Sequence, residues 1–140
     1  MATRTQVRTA VVQMLYALDL GNEDMKLQAS EYLNERKIKG EKAKWGEELF
    51  NGVLEHLEEI DEVIKNHLSK EWDFDRLDNV DKAILRLGVY EELFTDLPYQ
   101  VVINEAIEIA KLLSSENSTR FINGMLDKIA KEKNETMHSS

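Results

Sequence analysis

The chain has 140 residues, with 27 acidic against 18 basic side chains and a formal net charge of −9. This length is enough for one domain with a full core, and the absence of cysteine excludes disulfides and thiolate metal sites. The acidity argues against non-specific binding of duplex DNA, and no apolar run approaches the roughly 20 residues of a membrane span or resembles a secretory signal, so we expect a cytoplasmic protein.

The composition predicts an all-α fold. One proline and six glycines leave few helix breaks, and helix-forming residues such as Leu, Glu, Lys and Ala are abundant. We expect about seven helices, in a single domain over 1–131. The segment 132–140 has no apolar periodicity and is predicted to be a disordered tail.

The predicted first helix combines an apolar stripe with a face that has no acid. It runs from Arg4 to Leu20, with Thr3 as a suitable N-cap. The core stripe follows helical spacing over Val7, Val11, Met14 and Leu18. The other side carries Thr5, Arg8, Thr9, Val12 and Tyr16. Positive charge beside an aromatic ring is suited to holding nucleic acid, and the first eighteen residues contain two arginines and no acid.

The next three predicted helices present an acidic surface. The second covers 24–37, and its inward residues are predicted to be Leu27, Tyr32 and Leu33. The third covers 42–58, and Asp61 is a suitable cap for a fourth. Within 45–64 there are seven acids and no Lys or Arg. Such a run is typical of a solvated face and is a poor candidate for RNA contact.

The last three predicted helices contain the centre of the fold and a second basic region. The fifth, over 79–94, is apolar nearly all round and is therefore predicted to be buried on most sides. The sixth begins at Pro98, and the seventh covers 118–131. Residues 111–131 contain only two acids and four basic residues, Lys111, Arg120, Lys128 and Lys131. They are expected to extend a positive track if these helices lie beside the first.

Four of the six glycines lie inside predicted helices, where each costs about 1 kcal/mol relative to alanine. They are Gly46, Gly52, Gly88 and Gly124. Close approach between helices offsets this cost, so we expect tight packing at these positions.

No motif carries specific catalytic chemistry. The three histidines lack metal-binding spacing, and no glycine-rich phosphate loop is present. Glu105 and Glu108 lie one helical turn apart, as paired acid–base carboxylates do, but solvation and pairing with a lysine such as Lys111 is the simpler interpretation. We therefore expect no enzyme, no cofactor and no metal site.

Several segments together resemble one known family. Residues 7–16 read VRTAVVQMLY, residues 102–111 read VINEAIEIAK, and residues 121–128 read FINGMLDK. With Ile-Leu-Arg at 84–86, they resemble the NusB transcription antitermination factors from about Arg4 to Ala130. The resemblance implies two packed helical bundles, and binding of the single-stranded boxA RNA of ribosomal RNA leaders. It also implies a heterodimer with the ribosomal protein NusE, in a complex that keeps RNA polymerase elongating.

The resemblance also implies roles for individual residues. Arg4 and Arg8 match an arginine-rich RNA-binding motif, although Thr5 and Gln6 stand where relatives often carry further arginines. Tyr16 matches a position at the junction of RNA and NusE. The candidate RNA-binding residues are Arg4, Arg8, Thr9, Tyr16, Lys111, Asn117, Arg120, Phe121 and Lys128. The candidate partner-binding residues are Val12, Tyr16, Asp81 and Glu105.

A function of another class stays open at this point. The chain could be a protein-interaction module or homodimeric adaptor with little intrinsic RNA affinity, which uses its acidic faces and the Val12–Tyr16 side. For Phe121, core packing and RNA contact are equally favoured. For Arg86 a structural ion pair is favoured over RNA contact, and for Asn123 and Gly124 a helix-packing role is favoured.

Overall fold

The computed structural model describes residues 1–138, the last four by their backbone alone, and these residues form seven α-helices and no β-strand. The helices are α1 (Arg4–Asp19), α2 (Met25–Glu35), α3 (Gly40–Glu55), α4 (Leu57–His67), α5 (Asn79–Phe94), α6 (Tyr99–Leu113) and α7 (Glu116–His138). One turn of 3-10 helix, Phe74–Arg76, precedes α5. The predicted all-α fold is confirmed. Among residues 1–138, no helix has both the length and the apolar character that crossing a membrane requires.

The helices pack as two bundles that share an interface. α1, α2 and α3 contact one another and form the first bundle, whereas α4, α5, α6 and α7 form the second. α1 joins the two bundles because it also contacts α5 and α6. The arrangement agrees with the two-bundle fold that the family resemblance implied.

Helix α5 is the centre of the fold, as its apolar pattern predicted. Every residue from Asp81 to Val89 is buried, although three of them are charged. One of these, Arg86, donates to Asp61 of α4 (Nε–Oδ1 2.8 Å) and to Asp19 of α1 (Nη1–Oδ1 3.3 Å). The prediction that Arg86 forms a structural ion pair is therefore confirmed, and its contact with Asp19 links the two bundles.

The boundary between α3 and α4 differs from the prediction. α3 ends at Glu55 and α4 begins at Leu57, with His56 as the single residue between them. Asp61 lies inside α4 and does not cap it, because its carboxylate accepts hydrogen bonds from Arg86 instead. The cap prediction for Asp61 is therefore wrong.

The inward face of α2 also differs in part. Its buried residues are Met25, Ala29 and Leu33, spaced four residues apart. Leu27 is two residues from Met25, about 200° around the helix, and its side chain is 88% exposed. The inward placement of Leu33 is confirmed, and that of Leu27 is wrong.

Helix α7 is longer than predicted at both ends. It starts at Glu116, because Ser115 Oγ accepts a hydrogen bond from the Ser118 N–H (3.1 Å) and caps the first turn. It continues to His138, because no glycine or proline follows Lys131. The tail predicted over 132–140 is thus helical backbone through His138, and residues 139–140 lie outside the described residues.

The helical glycines fall into two classes. A Cβ atom at Gly52 would lie 2.3 Å from the Tyr90 hydroxyl, and one at Gly88 would lie 2.9 Å from Leu126 Cδ1. These positions show the predicted close approach between helices. At Gly124 a Cβ atom would meet nothing within 4 Å, so a helix-packing role at this position is wrong.

Candidate nucleic-acid interface

A capping box at the start of α1 leaves Arg4 exposed. Thr3 Oγ accepts a hydrogen bond from the Gln6 N–H (3.1 Å), and Gln6 Oε1 accepts one from the Thr3 N–H (2.8 Å). Thr3 is therefore the N-cap, as predicted. Arg4 projects from the first turn, where the helix dipole also favours anions. This position suits contact with a phosphate.

Arg8 lies in the interior, although the sequence predicted it on the RNA-facing surface. Its guanidinium donates two hydrogen bonds of 2.8 Å to Glu91 and lies 3.4 Å from Glu105 Oε1. The Arg8 side chain is 3% exposed, and the Trp45 ring covers it at 4.9 Å. A guanidinium buried against two carboxylates cannot receive a phosphate in this structure. The RNA-contact prediction for Arg8 is corrected: its side chain links α1 to α5 and α6.

Glu105, a predicted partner-binding residue, belongs to the same buried cluster. Its Oε2 accepts a hydrogen bond from Thr5 Oγ1 (2.8 Å), and its side chain is 22% exposed. Thr9, a predicted RNA-binding residue, is half-buried one turn farther along α1, and its hydroxyl donates to the Thr5 carbonyl (2.7 Å). Both residues therefore retain limited access from solvent.

The predicted partner-binding side of α1 is largely covered. Val12 is fully buried, because α1 is surrounded by α2, α3, α5 and α6. Its side chain is therefore not accessible to a partner in this structure, and its partner-binding role stays a prediction. Tyr16 is half-buried and packs against the core, so only part of its ring faces solvent.

Asp81 connects two parts of the second bundle. Its carboxylate oxygens accept hydrogen bonds from Ser114 Oγ (2.9 Å) and Ser118 Oγ (2.8 Å), and the residue is 7% exposed. These bonds tie the start of α5 to the end of α6 and to the first turn of α7. Asp81 therefore has a structural role within the chain, and its partner-binding role stays a prediction.

The basic residues of α6 and α7 are on the surface, as predicted. Three of them, Lys111, Arg120 and Lys131, form ion pairs with Glu108, Glu116 and Asp127, respectively. Exposed pairs of this kind contribute about 0–1 kcal/mol each, so a phosphate can displace the carboxylate at little cost. Lys128 is also exposed. The track therefore has accessible cations, although nearby acids partly neutralise them.

A partly exposed pair of aromatic rings lies beside this track. Phe121 of α7 is half-buried, and its ring centroid is 5.4 Å from that of Trp72, with a 37° angle between the planes. Trp72 lies in the connector after α4 and is 56% exposed. Asn117 is exposed one turn before Phe121. Trp72 was not among the predicted site residues, although an aromatic residue in a connector between predicted helices was a signal for it.

The acidic run forms the solvated face that the sequence predicted. Of its seven acids, five are exposed on α3 and α4, namely Glu48, Glu55, Glu58, Glu59 and Glu62. This side of the molecule is therefore strongly negative. Among the described residues, no cluster of three or more His, Asp or Glu side chains is arranged to hold a metal ion.

Comparison with known proteins decides the family. The model of the NusB family matches residues 5–131. The transcription antitermination protein NusB of Nitratiruptor sp. is 52% identical over 132 residues, which cover 94% of each chain. The chain belongs to the NusB family. This family is non-enzymatic, which confirms the prediction that the chain is not an enzyme.

Solved NusB structures share the fold. NusB of T. maritima has a TM-score of 0.85 and 39% identity, and the match covers 94% of this chain and 92% of that one. A complex of the antitermination factors NusB and NusE with double-stranded RNA contains a chain with a TM-score of 0.83 and 31% identity. This second match covers 92% of the present chain and 96% of that one.

Within this NusB-type fold, the structure separates the candidate residues by accessibility. The candidates that it buries, or engages inside the chain, are Arg8, Val12, Asp81 and Glu105. The RNA-binding candidates that stay exposed or partly exposed are Arg4, Thr9, Tyr16, Lys111, Asn117, Arg120, Phe121 and Lys128, and Trp72 joins them.

Proposed function

We propose that the chain is a transcription antitermination factor that binds boxA-type single-stranded RNA of ribosomal RNA leader transcripts together with NusE. Relatives at about half identity are named transcription antitermination proteins, and a solved relative is in a complex with NusE and RNA. The RNA in that complex is double-stranded, whereas single strands are the usual targets of sequence-specific RNA readout.

The partly exposed ring pair Trp72–Phe121 is the observation that carries the single-strand assignment. The rings meet at 37° and the tryptophan is more than half exposed. Unpaired bases stack on such rings, whereas the bases of a duplex already stack on one another. Asn117 supplies amide hydrogen-bonding groups one turn away, and Arg120 supplies charge for a phosphate.

The remaining cations extend the proposed site, and the acidic surface supports a protein partner. Arg4, Lys111 and Lys128 are exposed and suit phosphate contacts. The acidic residues of α3 and α4 attract a basic protein such as a ribosomal protein and confine RNA to the other side. We infer that the chain and NusE act together on RNA polymerase in the cytoplasm, where bacterial transcription takes place.

The test is a fluorescence-anisotropy titration of boxA RNA with the wild type and the Phe121→Ala variant. Loss of one stacked base weakens binding by about 1–3 kcal/mol, or roughly 5- to 150-fold. Phe94→Ala is the matched control, because Phe94 is an exposed aromatic residue that stacks on His56 at the far end of α5.

We expect the control to bind as the wild type does, and a scrambled RNA to bind more weakly than boxA. Equal binding of both RNAs would overturn the proposal. It would favour a protein-interaction module or a homodimeric adaptor, which sedimentation of the free chain and of its mixture with NusE would distinguish.

A further inference from the structure

A groove of about 530 Å³ lies between the first half of α1 and the turn that joins α2 to α3. The α1 wall presents polar side chains, including Gln6, Thr9 and Gln13, and Leu112 of α6 also lines the groove. The opposite wall carries two adjacent cations, Arg36 and Lys37. We call this the basic groove.

Lys37 has a backbone conformation that lysine rarely adopts. Its φ angle is +62°, and it is the only residue other than glycine with a positive φ among those described. It ends α2 in a Schellman motif, in which the Lys37 N–H donates to Asn34 O (2.9 Å) and the Ile38 N–H donates to Leu33 O (3.0 Å).

Glycine is the usual residue at this position of the motif, because a Cβ atom is disfavoured in the left-handed region. The chain does use glycine at its other two positive-φ positions, Gly21 and Gly40. The lysine therefore lowers the stability of this helix end. A role for the Lys37 side chain explains why lysine occupies this turn although glycine would make it more stable.

Arg36, beside it, is held in a defined orientation. Its guanidinium carbon lies 3.4 Å from the centroid of the Tyr32 ring, and Nη1 donates to the Tyr32 carbonyl (3.5 Å). Neither Arg36 nor Lys37 forms an ion pair within the described part of the chain. Two exposed cations without carboxylate partners therefore lie across the groove from the polar side chains of α1, and apolar residues such as Ala10 and Ile38 line the rest of the groove.

The α1 wall has the groups that an RNA backbone requires. The Thr9 hydroxyl donates to Thr5 O and keeps its lone pairs to accept from a 2′-hydroxyl. The Gln6 side chain uses its oxygen in the capping box and keeps its amide donors. Gln13 is half-buried and offers both a donor and an acceptor.

We propose that the basic groove binds the sugar–phosphate backbone of a single-stranded RNA, with Lys37 and Arg36 on a phosphate and the α1 side chains on the ribose. This inference rests on the proposed function and extends the RNA-binding site to the α2–α3 turn. Arg36 and Lys37 place positive charge beside α1 that Arg8, which is buried, does not provide.

The experiment compares the wild type with Lys37→Gly and Lys37→Gln by thermal melting and by boxA RNA titration at several salt concentrations. Lys37→Gly removes both the charge and the disfavoured backbone, so it should raise the melting temperature by about 2–4 °C and still bind RNA several-fold more weakly. Lys37→Gln removes only the charge and should weaken binding to the same extent without raising the melting temperature. Loss of one phosphate contact should make the slope of log K against log salt shallower by about 0.7.

Lys26→Gln is the control for net charge, because Lys26 lies on α2 outside the groove and is 55% exposed. It should bind RNA as the wild type does. If the wild type binds RNA and both Lys37 variants bind it as tightly as the wild type does, the groove assignment is overturned and the proposed function stands. If the wild type does not bind RNA, the proposed function fails and the inference fails with it.

Discussion

Arg4 and Arg8 lie one turn apart on α1, yet their surroundings differ completely. Arg4 is exposed at the helix start, whereas Arg8 is 2% exposed and engaged by Glu91 and Glu105. The two carboxylates lie 83 and 97 positions farther along the chain, so local sequence carried no signal for the pair. The arginines were therefore predictable as a basic feature, but which of them faces solvent depends on tertiary packing.

Removal of the Arg8 side chain should lower the free energy of unfolding. Any effect on RNA binding should follow from this loss of stability and not from a lost RNA contact. Arg8→Ala leaves Glu91 as a buried charge without its partner, which costs about 3–5 kcal/mol. Urea denaturation measures this loss. The double variant Arg8→Met/Glu91→Leu should recover much of the stability, because it removes both buried charges.

The double variant also separates folding from binding. If it is folded and binds boxA RNA with wild-type affinity, Arg8 has a structural role. A folded double variant that has lost RNA binding would contradict this assignment.

Glu92 is a second buried charge that sequence periodicity did not reveal. Its residue is 3% exposed, and neither carboxylate oxygen has a hydrogen-bond partner in the described part of the structure. Burial raises the pKa of the Glu92 carboxyl to about 8, although Lys133 opposes this shift and Asp127 adds to it. The carboxyl is therefore protonated in the folded chain at neutral pH and ionised in the unfolded chain.

This difference predicts a stability that falls as the pH rises. The folded state binds one proton more than the unfolded state between the two pKa values, about 4.5 and about 8. The free energy of unfolding should fall by about 1.4 kcal/mol per pH unit in that window and level off above it. Urea denaturation of the wild type and Glu92→Gln from pH 5 to pH 9 measures the slope.

Glu92→Gln should remove this contribution, because glutamine does not titrate. Glu59→Gln, at an exposed site, should leave the profile unchanged. An identical pH profile in the wild type and Glu92→Gln would contradict a raised pKa.

At the scale of single elements, the helices agree with their capping residues and apolar periodicity wherever no tertiary interaction overrides these local properties. The Thr3 cap and the stripe of Val7, Val11 and Met14 are as predicted, because capping and periodicity are local properties. Asp61 also has the residue type of a cap, but Arg86 draws its carboxylate into an ion pair between helices. The α3–α4 boundary therefore could not be predicted from the local sequence.

The glycines of α5 and α7 give a matched pair of substitutions. Gly88→Ala places a Cβ atom 2.9 Å from the fully buried Leu126 side chain and should destabilise the fold by about 1–3 kcal/mol. Gly124→Ala adds a Cβ atom in open space and should stabilise α7 by up to about 1 kcal/mol. Thermal melting should move the two midpoints in opposite directions. A shift of both in the same direction would contradict the packing of α5 against α7.

At the scale of the molecule, the all-α class was predictable from composition, and the two-bundle arrangement was implied by the resemblance. The centre of the fold was also predictable, because α5 is apolar on nearly every side. The candidate site was less predictable than the fold, because its accessible residues, including Trp72, Phe121 and Lys37, come from three separate segments of the chain. No sequence window contains such a surface, so the residues that complete it appear only after folding.

The distribution of charge over the molecule predicts how the proposed site works. A net charge of −9 repels RNA, so a few exposed cations must hold it against that field. Such binding should be weak in the free chain and sensitive to salt. NusE, as a basic partner, should reduce the repulsion and add contacts of its own.

The most direct measurement is a titration of boxA RNA with the free chain and with the chain saturated by NusE, each at about 50 mM and about 200 mM salt. We predict weak, salt-sensitive binding by the chain alone and markedly tighter binding in the presence of NusE. An affinity that is unchanged by NusE and by salt would contradict a composite RNA site.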